Sequence, residues 1–298
     1  MILKEILKGA LQEGWATGHF NASELDQMKA IIEACVEVGS PAIIGTSEGE
    51  RKHLGLAEAV ALRDAFRKEL KIPIFLNADH SKSVETAKKA ADAGYDSIHI
   101  DLSEKSFEEN VAGTREVVDY VKFKARKSDF SREVGLPDIS VEGELGYLRG
   151  ESEIQNEKIE VSRKDYTKPE EAKEFVEKTG VDRLAIVVGN IHGLSLDEPN
   201  LDIERIKEIR AVVPKDVTLV LHAGSGIPAD QIKNAIGAGI ANIHINTDIR
   251  IAYAEGLRGA LEKDPEGVAM YKLDKAAIEA MKEVIKDKLR LFGSVNRV

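Results

Sequence analysis

Ile72-Pro-Ile-Phe-Leu-Asn-Ala-Asp79-His80 is a short apolar run, opened by a proline and too brief for a helix, that stops at an acid and an imidazole. Such a run reads as a strand buried on both faces, the kind that parallel sheets use. The pattern recurs in Leu184-Ala-Ile-Val-Val-Gly-Asn-Ile-His192-Gly193 and in Leu219-Val-Leu-His222-Ala-Gly-Ser225-Gly226. Each is mainly apolar until it reaches a histidine with glycine one or two residues further on. Set side by side in one barrel, these strands bring three of the chain's seven histidines to a single mouth.

Outward from these runs the chain alternates. An amphipathic helix opens it, residues 14–21 read as a first strand, and a helix around Met28 precedes a second strand at 40–47. Residues 55–70 are helical, and the third strand occupies 72–78. A helix at 84–93 ends at Gly94, a fourth strand runs from Ser97 to Asp101, and 108–124 is helical. After a charged insertion at 124–137, residues 139–146 form a fifth strand. Glu142 and Glu144 alternate along it and so share one face. Helices at 169–179 and 202–212 lead to strands at Leu184 and Thr218, and 241–246 is an eighth strand followed by a helix over 248–261. Eight strands alternating with helices predict an α/β fold of the (β/α)8 TIM-barrel type, with an open doubly wound sheet as the fallback. A further amphipathic helix at 272–291 is more than the barrel needs. It is expected to cover the barrel's outside or to pack on a second subunit. No linker is visible, so residues 1–298 are read as one domain, with the polar stretch 146–168 as an active-site loop.

Composition narrows the function. Of 298 residues 43% are hydrophobic and 32% charged, which suits one large core. A net charge of -10 argues against nucleic-acid or anionic-membrane partners. The single cysteine, Cys35, lies in an amphipathic helical pattern and is expected to be buried and unreactive. The N-terminal segment has charges every few residues and no signal-peptide core, and no run is long enough to span a bilayer. The expected compartment is the cytoplasm.

In a barrel of this kind the strand C-termini share one face. That face gathers Asn21, Ser47, Asp79, His80, Asp101, Ser103, Glu144, His192, His222 and His244. Three neutral imidazoles with an open fourth position suit a catalytic Zn2+. Any one of them alone would read as an ordinary pocket histidine. Asp79, next to His80, is free for proton transfer if His80 binds metal; its plain alternative is a helix cap or loop carboxylate. Gly193, Gly224, Ser225 and Gly226 follow the histidines and let backbone N–H groups approach an anion, or simply make tight turns. Asn246, Thr247 and Arg250 follow the eighth strand. Arg250 can clamp a second phosphate or stand as a surface residue.

Together these motifs resemble the class II, metal-dependent fructose-1,6-bisphosphate and tagatose-bisphosphate aldolases. The resemblance runs nearly end to end. It rests on Phe20-Asn21, Ala78-Asp79-His80, Ile100-Asp101-Leu-Ser103 with Glu109-Asn110, and Val141-Glu142-Gly-Glu144-Leu-Gly146. It continues through Gly189-Asn190-Ile-His192-Gly193, Leu221-His222-Ala-Gly224-Ser225-Gly226, Asn246-Thr247-Asp248 and Phe292-Gly-Ser-Val-Asn. The resemblance implies zinc on His80, His192 and His222, polarising the ketone of dihydroxyacetone phosphate and stabilising its enediolate. Another divalent metal and an assisting monovalent cation stay open. Asp79 is implied as the proton carrier, with Asp101 and Glu144 as supporting or alternate metal acids. Gly193, Ala223, Ser225 and Thr247 are implied for the donor phosphate and Arg250 for the distal one. Asn21, Ser47, Gly224, His244 and Asn246 complete the implied substrate contacts, and a dimer or tetramer is the implied assembly.

The departures cluster where substrate is read. The family's histidine two before the aspartate is Asn77, and the acid-rich lid reads Arg149-Gly150-Glu151-Ser152-Glu153 with Ser152 in place of a glutamate. The lysine that follows the second metal histidine is missing from Gly193-Leu-Ser-Leu196-Asp. Ala223 replaces a glycine, His244 an asparagine and Asn246 an aspartate. The expected activity is reversible cleavage of fructose 1,6-bisphosphate to dihydroxyacetone phosphate and glyceraldehyde 3-phosphate. The alternatives are another phosphorylated ketose, such as tagatose 1,6-bisphosphate, and a non-catalytic sugar-phosphate-binding barrel.

Overall fold

The computed structural model describes residues 2–127, 139–150, 153, 162–194 and 200–298. Eight parallel strands close into a barrel in chain order: β1 (Thr17–Asn21), β2 (Ala42–Thr46), β3 (Ile74–Ser81), β4 (Ser97–Ile100), β5 (Ser140–Leu145), β6 (Arg183–Ile186), β7 (Thr218–Leu221) and β8 (Ile240–Ile245). The seam is β1 on β8, with Thr17 opposite Asn242 and Phe20 opposite Ile245. The (β/α)8 expectation holds.

Among the described residues eleven helices surround or plug this barrel. The chain's first helix, α1 (Leu3–Glu13), closes the bottom. Its Leu3, Ile6, Leu7 and Ala10 pack with Trp15 against Ile43, Phe75 and Ala241. The outer ring begins with α2 (Leu25–Val38), where Cys35 is fully buried and its thiol pKa is pushed up by that burial. It continues with α3 (Glu48–Leu54), α4 (Leu56–Glu69), α5 (Val84–Ala93), α6 (Phe107–Lys127), α7 (Pro169–Thr179), α8 (Ile203–Val212), α9 (Ala229–Gly237), α10 (Thr247–Lys263) and α11 (Met270–Phe292).

Local chemistry sets many of these limits. Ser83 Oγ accepts from the Thr86 N–H to start α5, and Gly94 ends it at φ 103°. Pro169 opens α7, where its missing N–H costs nothing. The C-terminal helix takes the first of its two expected places. In α11, Leu273, Ala277, Met281, Ile285, Leu289 and Phe292 form one buried stripe. It packs between α2 and α10, and the Phe292 carbonyl accepts from the Ala16 N–H at 3.0 Å. Two helices go beyond the sequence reading. α3 has only seven residues, too few for a period to show; α9 lies behind Pro228 with Ile232, Ala235 and Ile236 as its buried face. The charged insertion at 124–137 is helical as far as Lys127, and the remainder lies outside the described residues.

Candidate active site

A strand alone would send Asp79 and His80 to opposite faces. The β3–β4 ladder shifts register between Ala78 and Ser81, and His80 takes φ 43°. This bulge lets adjacent residues share the mouth. Arg51 on α3 braces it: Nη1 donates to the Asp79 carbonyl at 2.8 Å and to the Thr46 carbonyl, while Nη2 reaches Ser81 Oγ at 3.3 Å. β3 therefore runs to Ser81, three residues past the end that the sequence suggested.

The histidines meet as follows. His80 Nδ1 lies 2.8 Å from Asp101 Oδ2, and His222 Nε2 lies 2.6 Å from Glu142 Oε1. If each carboxylate accepts a ring N–H, the remaining lone pairs are His80 Nε2 and His222 Nδ1. They face each other at 3.2 Å. Two nitrogens bound tetrahedrally to one ion at about 2.0–2.1 Å would stand about 3.3 Å apart. Carboxylates behind imidazoles are also the usual support of metal-binding histidines. The donor set therefore fits a divalent ion.

His192 shares the pocket, with its ring centre 5.2 Å from that of His80. Its backbone N–H donates to the Arg149 carbonyl at 2.9 Å. Ligand atoms lying within 4.8 Å of one another group His80 and His222 with Asp79 and His99, and His80 with His99, Asp101 and Glu144; among the described residues no such group includes His192. Burial, helped by the neighbouring His80 and His222, holds the His192 pKa well below the ordinary histidine value.

Asp79 is nearly buried. Its Oδ2 accepts from Asn21 Nδ2 at 3.0 Å; His99 Nδ1 and His244 Nδ1 each stand 3.5 Å from Oδ1, which has no hydrogen bond. Burial alone would raise this carboxyl, but the His80 charge and the two imidazoles outweigh it and hold the pKa well below the ordinary range. Asp101 also pairs with Lys82 Nζ at 2.6 Å and accepts from Ser103 Oγ at 2.7 Å. Glu144 Oε2 is 3.2 Å from His99 Nε2 and 3.8 Å from His80 Nδ1.

The loops after β6, β7 and β8 finish the wall. Asn190 ties two of them together, its Nδ2 donating to the His222 carbonyl at 3.0 Å. Ala223 sits at φ 56°, a left-handed conformation that costs a residue with a Cβ about 1–2 kcal/mol. The family glycine is replaced here, yet the backbone keeps the shape that favours glycine. Gly193, Ser225, Asn246 and Thr247 line the pocket, and Ser225 Oγ accepts from the Asp248 N–H at 3.2 Å at the start of α10. Gly224 does not line it. Its N–H is committed to the His244 carbonyl at 2.9 Å, and a Cβ there would strike Ile243 and Ile245. Ser47 and Arg250 form the far end.

Several residues that the sequence reading passed over carry this site. Glu50, buried on α3, accepts from Asn21 Nδ2 at 2.9 Å, from the Ser47 N–H at 2.6 Å and from Arg250 Nη2 at 2.5 Å. Beneath the mouth, Arg183 Nη1 lies 2.7 Å from Glu142 Oε2, and its Nη2 reaches Asn77 Oδ1 at 3.1 Å and Ser97 Oγ. His19 stacks on His244 at 3.6 Å and meets Asn77 Nδ2 at 3.0 Å. Period-two counting back from Asn21, Asp101 and His244 would have found His19, His99 and Asn242. Glu151, Ser152 and the 195–199 part of the β6 loop lie outside the described residues.

Known proteins give the same picture. The family model for class-II fructose-bisphosphate aldolase matches residues 1–297. A fructose-bisphosphate aldolase of Staphylococcus aureus strain Mu50 is 38% identical, covering 99% of this chain and 98% of its own. One from Staphylococcus epidermidis is 37% identical with the same coverage. The crystal structure of the YdjI aldolase from Escherichia coli K12 superposes with a TM-score of 0.79 at 31% identity, over 98% of this chain and 97% of that one. No described helix is long and apolar enough to cross a membrane. This chain is a lyase and belongs to the class-II fructose-bisphosphate aldolase family.

Proposed function

We propose that the chain is a metal-dependent aldolase that reversibly cleaves a phosphorylated ketose into dihydroxyacetone phosphate and an aldehyde. The relatives' names carry fructose bisphosphate, and its 1,6 isomer is the first substrate to assay. The observation that carries the reading is the pair of facing nitrogens, His80 Nε2 and His222 Nδ1, each backed by a carboxylate. His80 and His222 would hold the ion with His192 across the pocket as third ligand; zinc suits such imidazole donors. Bound there, the metal supplies Lewis-acid polarisation of the donor carbonyl.

The protein's own groups do the rest. Asp79 is ionised at neutral pH, so in cleavage it accepts the proton of the hydroxyl on the carbon that becomes the aldehyde. As that C–O gains its second bond the carbon–carbon bond breaks, and its electron pair passes to the donor half. That half takes up one proton from solvent at the same carbon to become dihydroxyacetone phosphate, while Asp79 gives its proton back to solvent before the next turnover. Condensation runs these transfers in reverse. Asn21 orients Asp79 through its hydrogen bond to Oδ2. Gly193, Ser225 and Thr247 take the donor phosphate, where Thr247 begins α10 and the helix dipole favours an anion.

The test is cleavage of ketose phosphates before and after exhaustive chelation, with metal analysis of the same sample. Chelation should abolish turnover and zinc should restore it. His192→Ala should be inactive, and Asp79→Ala should lose at least roughly two orders of magnitude in kcat with the metal still bound. Full activity without metal would defeat the reading. A second reading, preference for a ketose phosphate other than fructose 1,6-bisphosphate, is favoured by Glu50 at the Arg250 end of the pocket.

A further inference from the structure

The two ends of the pocket differ in charge. At the end formed by Gly193, Ser225 and Thr247, no carboxylate lines the wall among the described residues. At the other end three donors converge: the Ser47 N–H, Asn21 Nδ2 and Arg250 Nη2. This is the set a second phosphate would need, with a guanidinium for charge and two N–H groups for orientation. All three already point at one internal anion. Glu50 Oε2 accepts from Ser47 and Asn21, and Oε1 pairs with Arg250.

Nor is Glu50 a surface acid free to swing away. It is 5% exposed, and its carboxylate also closes the capping box that starts α3. Freeing the donors for a phosphate would leave a buried carboxylate unpaired beside an incoming dianion, two like charges in a poorly solvated site.

Building on the proposed aldolase chemistry, we propose that Glu50 is a specificity-determining residue: it fills the second anion seat, so the substrate is a ketose with one phosphate, on the donor half, and an uncharged hydroxylated tail. The aldehyde released is then unphosphorylated. Arg250, paired with Glu50, offers that tail hydrogen bonds rather than net positive charge.

The experiment is condensation of dihydroxyacetone phosphate with glyceraldehyde or glyceraldehyde 3-phosphate by the zinc-loaded protein, for the wild type, Glu50→Gln and Glu50→Ala. The wild type should have the higher kcat/KM with glyceraldehyde. In both variants the ratio of kcat/KM for the phosphorylated over the plain acceptor should rise at least tenfold. A loosened α3 would lower both values together and leave the ratio in place. A wild type that favours the phosphorylated acceptor, or a ratio that stays put in Glu50→Gln, overturns the assignment.

Calorimetric titration with inorganic phosphate judges Glu50 separately from catalysis. One equivalent in the wild type and a second in Glu50→Gln supports the proposal. Two equivalents in the wild type, or no gain in the variant, sinks it. Loss of turnover with both acceptors in the wild type would instead count against the aldolase reading and leave the phosphate stoichiometry to decide on Glu50.

Discussion

Arg183→Met tests what holds the imidazoles from below. Arg183 and Glu142 have no exposed side-chain surface, and they meet at 2.7 Å across the β5–β6 register, where the two residues are direct partners. The substitution keeps most of the volume but removes the charge. Among the described residues the Glu142 carboxylate then keeps one hydrogen bond, to His222 Nε2 at 2.6 Å, with His99 and His244 standing off at 4.0 Å. Breaking a buried pair in this way costs about 3–5 kcal/mol. With about 2.1 cal/mol/K of unfolding entropy per residue, a chain of this size unfolds with about 0.6 kcal/mol/K, so Tm should drop by about 5–8 °C. Glu142→Gln in the same background removes the stranded charge and should return at least half of that loss. The assay is thermal unfolding by circular dichroism at pH 7 in chelator, on the wild type, both single variants and the double. A drop below about 2 °C for Arg183→Met, or a double variant less stable than Arg183→Met alone, would refute the claim that the pair is the electrostatic floor of the site.

Three further outcomes follow from neighbouring residues. A Cβ on Gly45 would run into the His19 imidazole, a ring already stacked on His244, so Gly45→Ala should cost about 1–3 kcal/mol in urea unfolding; a neutral result would mean the stack can slide. Burial lowers the His19 pKa from 6.5 to about 4, so between these pH values the unfolded chain binds a proton that the native one refuses. Stability should therefore fall as pH drops through that window, with His19 accounting for roughly 2 kcal/mol between pH 7 and pH 5, and His19→Gln should lose that much less; equal acid slopes for the two proteins would exclude it. Zinc at one hundred times its Kd should stabilise the folded protein by about 2.7 kcal/mol, a gain that vanishes in His222→Ala; a variant still stabilised to the same extent would remove His222 from the metal site.

The sequence disclosed the barrel because each strand is buried on its outer face, and an apolar run bounded by turns survives without knowledge of its neighbours. Phe20, Ile44, Leu76 and Ile98 belong to that layer. The inner face obeys a different rule. There the polar residues His19, Asn77, His99, Glu142, Arg183 and Asn242 are stable only through partners on other strands, so their meaning depends on register. Arg183 opens β6, and read alone it is a charged residue at a strand start; only its position opposite Glu142 makes it half of a buried pair. His80 shows the same limit from another side. Alternation gives its neighbour Asp79 the opposite face, and the answer comes from a bulge with φ 43°, held by Arg51 from a seven-residue helix that no periodicity could reveal. Glu50 belongs to that helix too. The strand-end residues were legible because chain topology alone delivers them to one mouth. What was hidden is the set of groups that decides their protonation, their orientation and the charge of the ligand they can accept, because those properties arise from contacts between elements and not from the elements themselves.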